Sequence, residues 1–166
     1  MTHAGTHQCL LDVAIDEAEP LARRLRERGH TVAVAESCTG GALAALLTSV
    51  PDASEFFRGG IVAYQTAAKE ALLGVHRSTI DADGTVSADA AKEMARGARD
   101  VLGADVGIGI TGVVGKATEG KPPGLVYAAV ADGAAEHVAE LKSDGSPEQI
   151  RADAVRAALR LAEGTQ

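Results

Sequence analysis

The sequence predicts a single α/β domain, a three-layer α/β/α arrangement with a mixed, mostly parallel sheet of about five strands. Three observations predict it. Short apolar runs alternate with amphipathic helical segments up to about residue 111, and two further runs then flank the hairpin dipeptide Asp132-Gly133 before a capped final helix. The 166 residues, 46% hydrophobic and 23% charged, match one ordinary globular domain spanning 1–166.

Glu17–Arg28 reads as a helix stopped by Gly29. The run Arg23-Arg24-Leu25-Arg26-Glu27-Arg28 alternates around Leu21 and Leu25, which makes it a solvated face with a positive C-terminal end. Thr31–Ala35, short and apolar, is a buried strand. Leu43, Leu46, Leu47 and Val50 then recur at helical spacing, so a helix covers Gly40–Val50 and ends at the Pro51-Asp52 turn. A second strand reads over Gly59–Tyr64, and a short helix over Ala67–Leu73 is closed by Gly74. A polar connection through Asp81-Ala82-Asp83-Gly84 leads to Ser87, the cap of a longer helix whose Ala91, Met94, Ala95, Ala98 and Leu102 share one face. Val106–Thr111 supplies the third strand. Leu125–Val130 and Glu136–Leu141 form an antiparallel pair around Asp132-Gly133. In Ser146-Pro147-Glu148-Gln149, Ser caps the last helix, Pro takes its first position and Gln completes a capping box; the helix runs to Ala162.

Composition excludes several functions. With 23 acidic and 16 basic residues the net charge is −7, and the only aromatics are Phe56, Phe57, Tyr64 and Tyr127. Neither a phosphate-gripping stripe nor a base-stacking platform is available, so no direct nucleic-acid binding is expected. No segment approaches the roughly 18 consecutive apolar residues of a membrane helix, and no basic-then-apolar leader opens the chain. A cytoplasmic protein without membrane contact is expected. Cys9 and Cys38 are too few and too differently placed for a disulfide scaffold. His3, His7 and Cys9 cluster without a second ligand group at metal-site spacing, so no metal site is expected, and residues 1–14 read as a poorly ordered or loosely packed terminus.

Two motifs fail on context. Gly107-Ile108-Gly109-Ile110-Thr111-Gly112 matches the dinucleotide pattern G-x-G-x-x-G, but its glycines fall inside a strand and no helix follows. Gly115-Lys116 resembles a P-loop fragment, yet Ile110 stands where the first glycine belongs and Ala117 where Ser or Thr belongs. Lys116 is a loop residue expected to border a pocket.

In parallel α/β architectures ligands gather at the carboxyl ends of strands. Three exits carry polar chemistry: Glu36-Ser37-Cys38-Thr39, then Tyr64-Gln65-Thr66 leading to Lys69, then Thr111-Gly112. Ser37 sits on a strand-to-helix turn where Gly40 and Gly41 let backbone approach a ligand and the first-turn amides favour an anion or oxyanion; the plain alternative is a helix cap. A serine nucleophile needs a base, and no Ser-His-Asp set is evident. Lys69, near the start of a short helix, serves instead if desolvation depresses its pKa, with the Tyr64 hydroxyl relaying a proton or orienting the lysine. The alternatives are an exposed helical lysine at 69, and Cys38 as either the reactive group or a core thiol.

Val32-Ala33-Val34-Ala35-Glu36-Ser37-Cys38-Thr39-Gly40-Gly41, Phe57-Arg58-Gly59-Gly60-Ile61-Val62-Ala63-Tyr64 with Lys69, Ile110-Thr111-Gly112 and Lys121-Pro122-Pro123-Gly124 together resemble the CinA C-terminal domain family. That family includes stand-alone PncC-type nicotinamide mononucleotide amidohydrolases, and the resemblance runs from about Glu17 to Leu161. It implies hydrolysis of a nucleotide carboxamide to acid and ammonia without metal or cofactor. Ser37 would be the nucleophile, Lys69 its base and Tyr64 a partner in proton transfer. Glu36, Cys38, Thr39, Gly40, Gly41, Thr111 and Gly112 would contact substrate, the 39–41 amides serving either the oxyanion or the phosphate. It also implies a homodimer, and a chain lacking the N-terminal domain of full-length members. Departures lie at the shortened Val113–Thr118 loop, at Thr66 where the family has Asn, and at Ser146-Pro147 where it has Arg. The alternative function is a nucleotide-binding partner module linked to competence or DNA damage.

Overall fold

The computed structural model describes residues 13–166. In chain order it contains α1 (Glu19–Arg28), β1 (Val32–Glu36), α2 (Ala42–Ser49), β2 (Phe57–Val62), α3 (Thr66–Leu73), α4 (Arg77–Asp83), α5 (Ala88–Leu102), β3 (Val106–Gly112), β4 (Leu125–Ala131), β5 (Glu136–Lys142) and α6 (Pro147–Thr165). His3, His7, Cys9 and all but the last two residues of the expected loose terminus lie outside the described residues; Val13 is buried in the main core. Among the described residues no helix is long and apolar enough to cross a membrane.

The sheet order is β2-β1-β3-β4-β5. β1 pairs in parallel with β2 and β3, whereas β4 pairs antiparallel with β3 and β5, so four strands run one way and β4 alone is reversed. The carboxyl ends of β1, β2 and β3 therefore open at one edge, which is where the three polar exits were expected.

The two sheet faces carry different side chains, and this decides what packs on each. Val32, Val34, Ile108, Ile110, Val126 and Val130 face one way, against Leu21 and Leu25 of α1, Leu43 and Leu47 of α2 and Val155 and Leu159 of α6. On the other face Ala33 and Ala35 meet Met94 and Ala98 of α5 and Leu73 of α3. Gly107 and Gly109 complete that second face. A Cβ on Gly107 would lie 1.9 Å from Ala95 O, and one on Gly109 2.3 Å from Ala91 O, so these glycines exist to let the α5 backbone lie on the sheet. The dinucleotide-like pattern is thus a packing surface.

Ser87 and Ser146 cap as expected, accepting from the amides of Ala90 at 3.2 Å and Gln149 at 3.3 Å. The capping box expected at Ser146 does not close: the Gln149 side chain donates to Asp153 instead, at 2.9 Å. β2 starts two residues earlier than the glycine pair predicts and ends at Val62, although the Ala63 amide still donates to Glu36 O. The polar connection contains a helix, α4, and α6 continues through Gly164 to Thr165.

Candidate active site

Ser37 is the first residue beyond β1, and its amide donates to Ile110 O at 3.0 Å, which prolongs the pairing with β3. The chain then turns sharply into α2. Gly40 (φ +65°) and Gly41 (φ +98°) both occupy left-handed backbone conformations, which side chains with a Cβ adopt only at a cost. This turn needs two adjacent glycines.

Glu36, one residue earlier, is 1% exposed, and its carboxylate caps α2 by accepting from Leu43 N at 3.0 Å and Ala44 N at 2.8 Å. A buried carboxylate is tolerable there because it meets two amides and the positive end of the helix dipole. Glu36 does not line the cavity described below, and it occupies helix amides that sequence reasoning had left open for a ligand. Glu36→Ala is expected to destabilise the fold by about 2 kcal/mol by stripping those amides, with Glu36→Gln costing less; urea denaturation of both variants checks this.

Of the other turn amides, Gly40 N donates to Ser37 O and Ala42 N to Thr39 O. The amides of Thr39 and Gly41 find no protein acceptor among the described residues, and that of Cys38 meets only its own thiol. They belong to the turn that follows Ser37. Thr39 is buried with its Oγ1 unpartnered, and neither it nor Gly40 and Gly41 lines the cavity.

Lys69 comes from the first turns of α3, where side chains lean back toward the helix N-terminus. That lean carries Nζ to the end of β2. Nζ lies 2.9 Å from Ser37 Oγ, 2.9 Å from Ala63 O and 3.2 Å from Tyr64 O, and the residue is only 2% exposed. Burial pulls the Lys69 pKa below its ordinary value, partly opposed by Cys38 and Glu119. Carbonyl oxygens can only accept, so two N–H groups of the amine are committed to Ala63 and Tyr64. A neutral Lys69 must then turn its lone pair to Ser37 and accept from the hydroxyl. The exposed-lysine alternative is overturned: the amine is buried against Ser37.

Tyr64 holds the lysine, though not as expected. Its main-chain carbonyl makes the contact, while its side chain is 71% exposed at the cavity rim and its hydroxyl has no hydrogen-bond partner among the described residues. Cys38 is buried beside the cavity, and burial pushes its thiol up to about 12, where no thiolate forms near neutral pH. Burial of the thiol counts against the reading in which Cys38 is the reactive group.

Ser37, Cys38, Tyr64, Lys69, Thr111 and Gly112 converge on one cavity of about 580 Å3. The Val113–Lys116 loop forms another wall, so Lys116 does border a pocket. Pro147, where the sequence departs from the family pattern, also lines it, as do Thr85, Glu119 and Arg151, and sequence reasoning missed these last three as site residues. Glu119 joins the walls: it accepts from Thr85 N and Oγ1 and from Val86 N, while Thr111 Oγ1 donates to Thr85 O at 2.8 Å. Burial alone would raise the Glu119 pKa, but these hydrogen bonds outweigh it and hold the carboxyl below its usual range.

The architecture and the site define an α/β protein with a serine-lysine pair at the strand exits. Comparison gives the family: residues 15–165 match the CinA C-terminal domain, and the chain belongs to that family. A CinA-like protein of Gloeothece citriformis (strain PCC 7424) is 50% identical over 112 residues, 66% of this chain and 27% of its own length. One of Geobacter sulfurreducens is 45% identical over 142 residues, covering 84% of this chain and 34% of its own. The chain therefore spans about a third or less of these relatives. A CinA superfamily protein of Klebsiella pneumoniae superposes with TM-score 0.87 at 32% identity, covering 91% of this chain and 96% of that one. One from Escherichia coli gives 0.86 at 34%, covering 92% and 93%.

Proposed function

We propose that this chain is a Ser-Lys amidohydrolase that converts nicotinamide mononucleotide to nicotinic acid mononucleotide and ammonia. The observation that carries the reading is the 2.9 Å contact between buried Lys69 Nζ and Ser37 Oγ at the cavity floor. Neutral Lys69 takes the Ser37 proton as Oγ attacks the carboxamide carbon, and backbone amides of the turn after Ser37 stabilise the oxyanion. On collapse of this intermediate, Lys69 returns the proton to the departing nitrogen, which leaves as ammonia. A water then gives a proton to Lys69 and attacks the acyl-serine ester; the alcohol form of Ser37 is restored by that proton. The net reaction is amide plus water to acid plus ammonia.

Family kinship further supports a cytoplasmic homodimer, a state that light scattering on the purified chain checks. Incubation with nicotinamide mononucleotide tests the reaction: acid and ammonia are expected in a one-to-one ratio. Thermal stabilisation by the nucleotide without ammonia would instead favour the binding-module alternative, since a ligand that only binds still stabilises the native state.

A further inference from the structure

Residues 113–124 leave β3 and return to β4, and the span is anchored at two places. At its base Val113 N donates to Leu125 O at 2.9 Å and Gly124 N to Val113 O at 2.7 Å. At its tip Thr118 N donates to Lys121 O at 3.1 Å and Lys121 N to Thr118 O at 2.9 Å, which closes a two-residue turn on Glu119-Gly120. Both turn residues have positive φ, +55° at Glu119 and +71° at Gly120. Such a turn favours Asn, Asp or Gly at its first position, and a longer L side chain is strained there. Asp52 is the only other non-glycine residue with positive φ among the described residues. Backbone preference therefore does not account for a glutamate at 119, but its carboxylate does.

That carboxylate reaches the segment before α5. Glu119 Oε1 accepts from Thr85 N at 3.1 Å and Thr85 Oγ1 at 2.6 Å, and Oε2 accepts from Val86 N at 3.3 Å. Lys121 adds a second grip from the same turn, its Nζ donating to Asp83 O. The receiving segment is shaped for both: a Cβ on Gly84 would lie 2.3 Å from Glu119 Oε2 and 2.9 Å from Lys121 Nζ. Between base and tip, Val114, Gly115 and Lys116 line the cavity, yet the amides of residues 114–117 donate to nothing among the described residues. Their placement rests on the two anchors.

We infer that Glu119 is a positioning residue of this cavity: by clasping Thr85 and Val86 it holds the 114–117 span in place as a wall before any substrate enters. Hydrogen bonds to an ionised carboxylate are stronger than those between neutral groups, so the clasp is the firmest contact at the tip. Glu119 touches none of the atoms that hold Lys69 Nζ on Ser37, Ala63 and Tyr64. Losing the clasp therefore loosens the wall and leaves the reacting pair in place.

Amide hydrogen exchange on the full chain tests the clasp without reference to turnover. In Glu119→Ala, exchange at Thr85 and Val86 is expected to accelerate about 10-fold or more, while β1, β3 and α5 keep wild-type protection. Glu119→Gln keeps one accepting oxygen and should fall between. Unchanged exchange at both amides in Glu119→Ala overturns the inference. Acceleration spread evenly over the domain also overturns it, since that marks a merely structural residue. The kinetic readout rests on the proposed reaction. With nicotinamide mononucleotide as substrate, KM should rise about 10-fold in Glu119→Ala and kcat stay within about twofold, the pattern of lost uniform binding. A fall in kcat at unchanged KM contradicts the positioning role. Wild-type protein that releases no ammonia would sink the amidohydrolase reading, and the exchange result would then decide this inference by itself.

Discussion

Lys69→Met is expected to lower amide turnover by about 10³-fold or more, the loss typical of removing a positioned general base. Methionine fills a similar volume but has no lone pair basic enough to accept the Ser37 proton, and it leaves the carbonyls of Ala63 and Tyr64 without their donor. The pH profile adds an independent check. Because burial depresses the Lys69 pKa, the reactive neutral amine becomes populated below the ordinary lysine value of about 10.4. The rate should rise with pH through the depressed value and then level off. Stability should rise over a linked window. Between the depressed folded value and about 10.4 the unfolded chain binds a proton that the folded chain does not, so increasing pH favours folding there and has no such effect above it. Lys69→Met should abolish that slope. Kinetics and urea denaturation across alkaline pH measure both, and a variant that keeps wild-type turnover removes Lys69 from the mechanism.

Gly109→Val is expected to destabilise the domain by about 3 kcal/mol or more. The new Cβ would meet Ala91 O at 2.3 Å and Ala95 N at 2.7 Å, and these are backbone atoms within α5. The helix cannot retreat easily, because on its other side Gly97 is pressed against Leu73 O, where a Cβ would lie at 2.1 Å. Gly109 itself pairs with Ala35 and Ala129 in the middle of the sheet, so the strand is held as well. Urea denaturation should also show a smaller loss for Gly109→Ala. A valine variant within about 1 kcal/mol of wild type would mean that α5 does not rest on β3 in this way.

These two sites show what the sequence carried and what it hid. Strands β1 and β3 and helices α5 and α6 were legible because periodicity and caps agreed: Ser87 and Ser146 both accept the amides expected of them. α4 was not, since Arg77–Asp83 offers no apolar stripe and only Ile80 packs against the core. β2 was displaced because Gly59-Gly60 reads as a boundary, whereas Gly60 is a strand residue with Ala44 and Val34 against its backbone.

Within the site, Ser37 and Lys69 were legible because both lie at strand exits that topology brings to one edge. Glu36 was read as a ligand contact, but a carboxylate seven residues before an open helix amide can as easily be its cap. Arg151 was invisible because nothing local links it to Cys38, 113 positions away, and Glu119 was hidden in a glycine- and proline-rich loop with no periodicity to place it. Folding, not motif, assembles that wall.

Ammonia release from nicotinamide mononucleotide by the purified protein, measured beside Ser37→Ala, tests the central claim most directly. Ser37 is small and touches Lys69 only through its hydroxyl oxygen, so the alanine variant is expected to keep the wild-type circular dichroism and melting behaviour. Release of ammonia by the wild-type chain and its loss by about 10³-fold or more in the variant is the predicted result. Undiminished release by Ser37→Ala, or none from well-folded wild-type protein, would contradict the account.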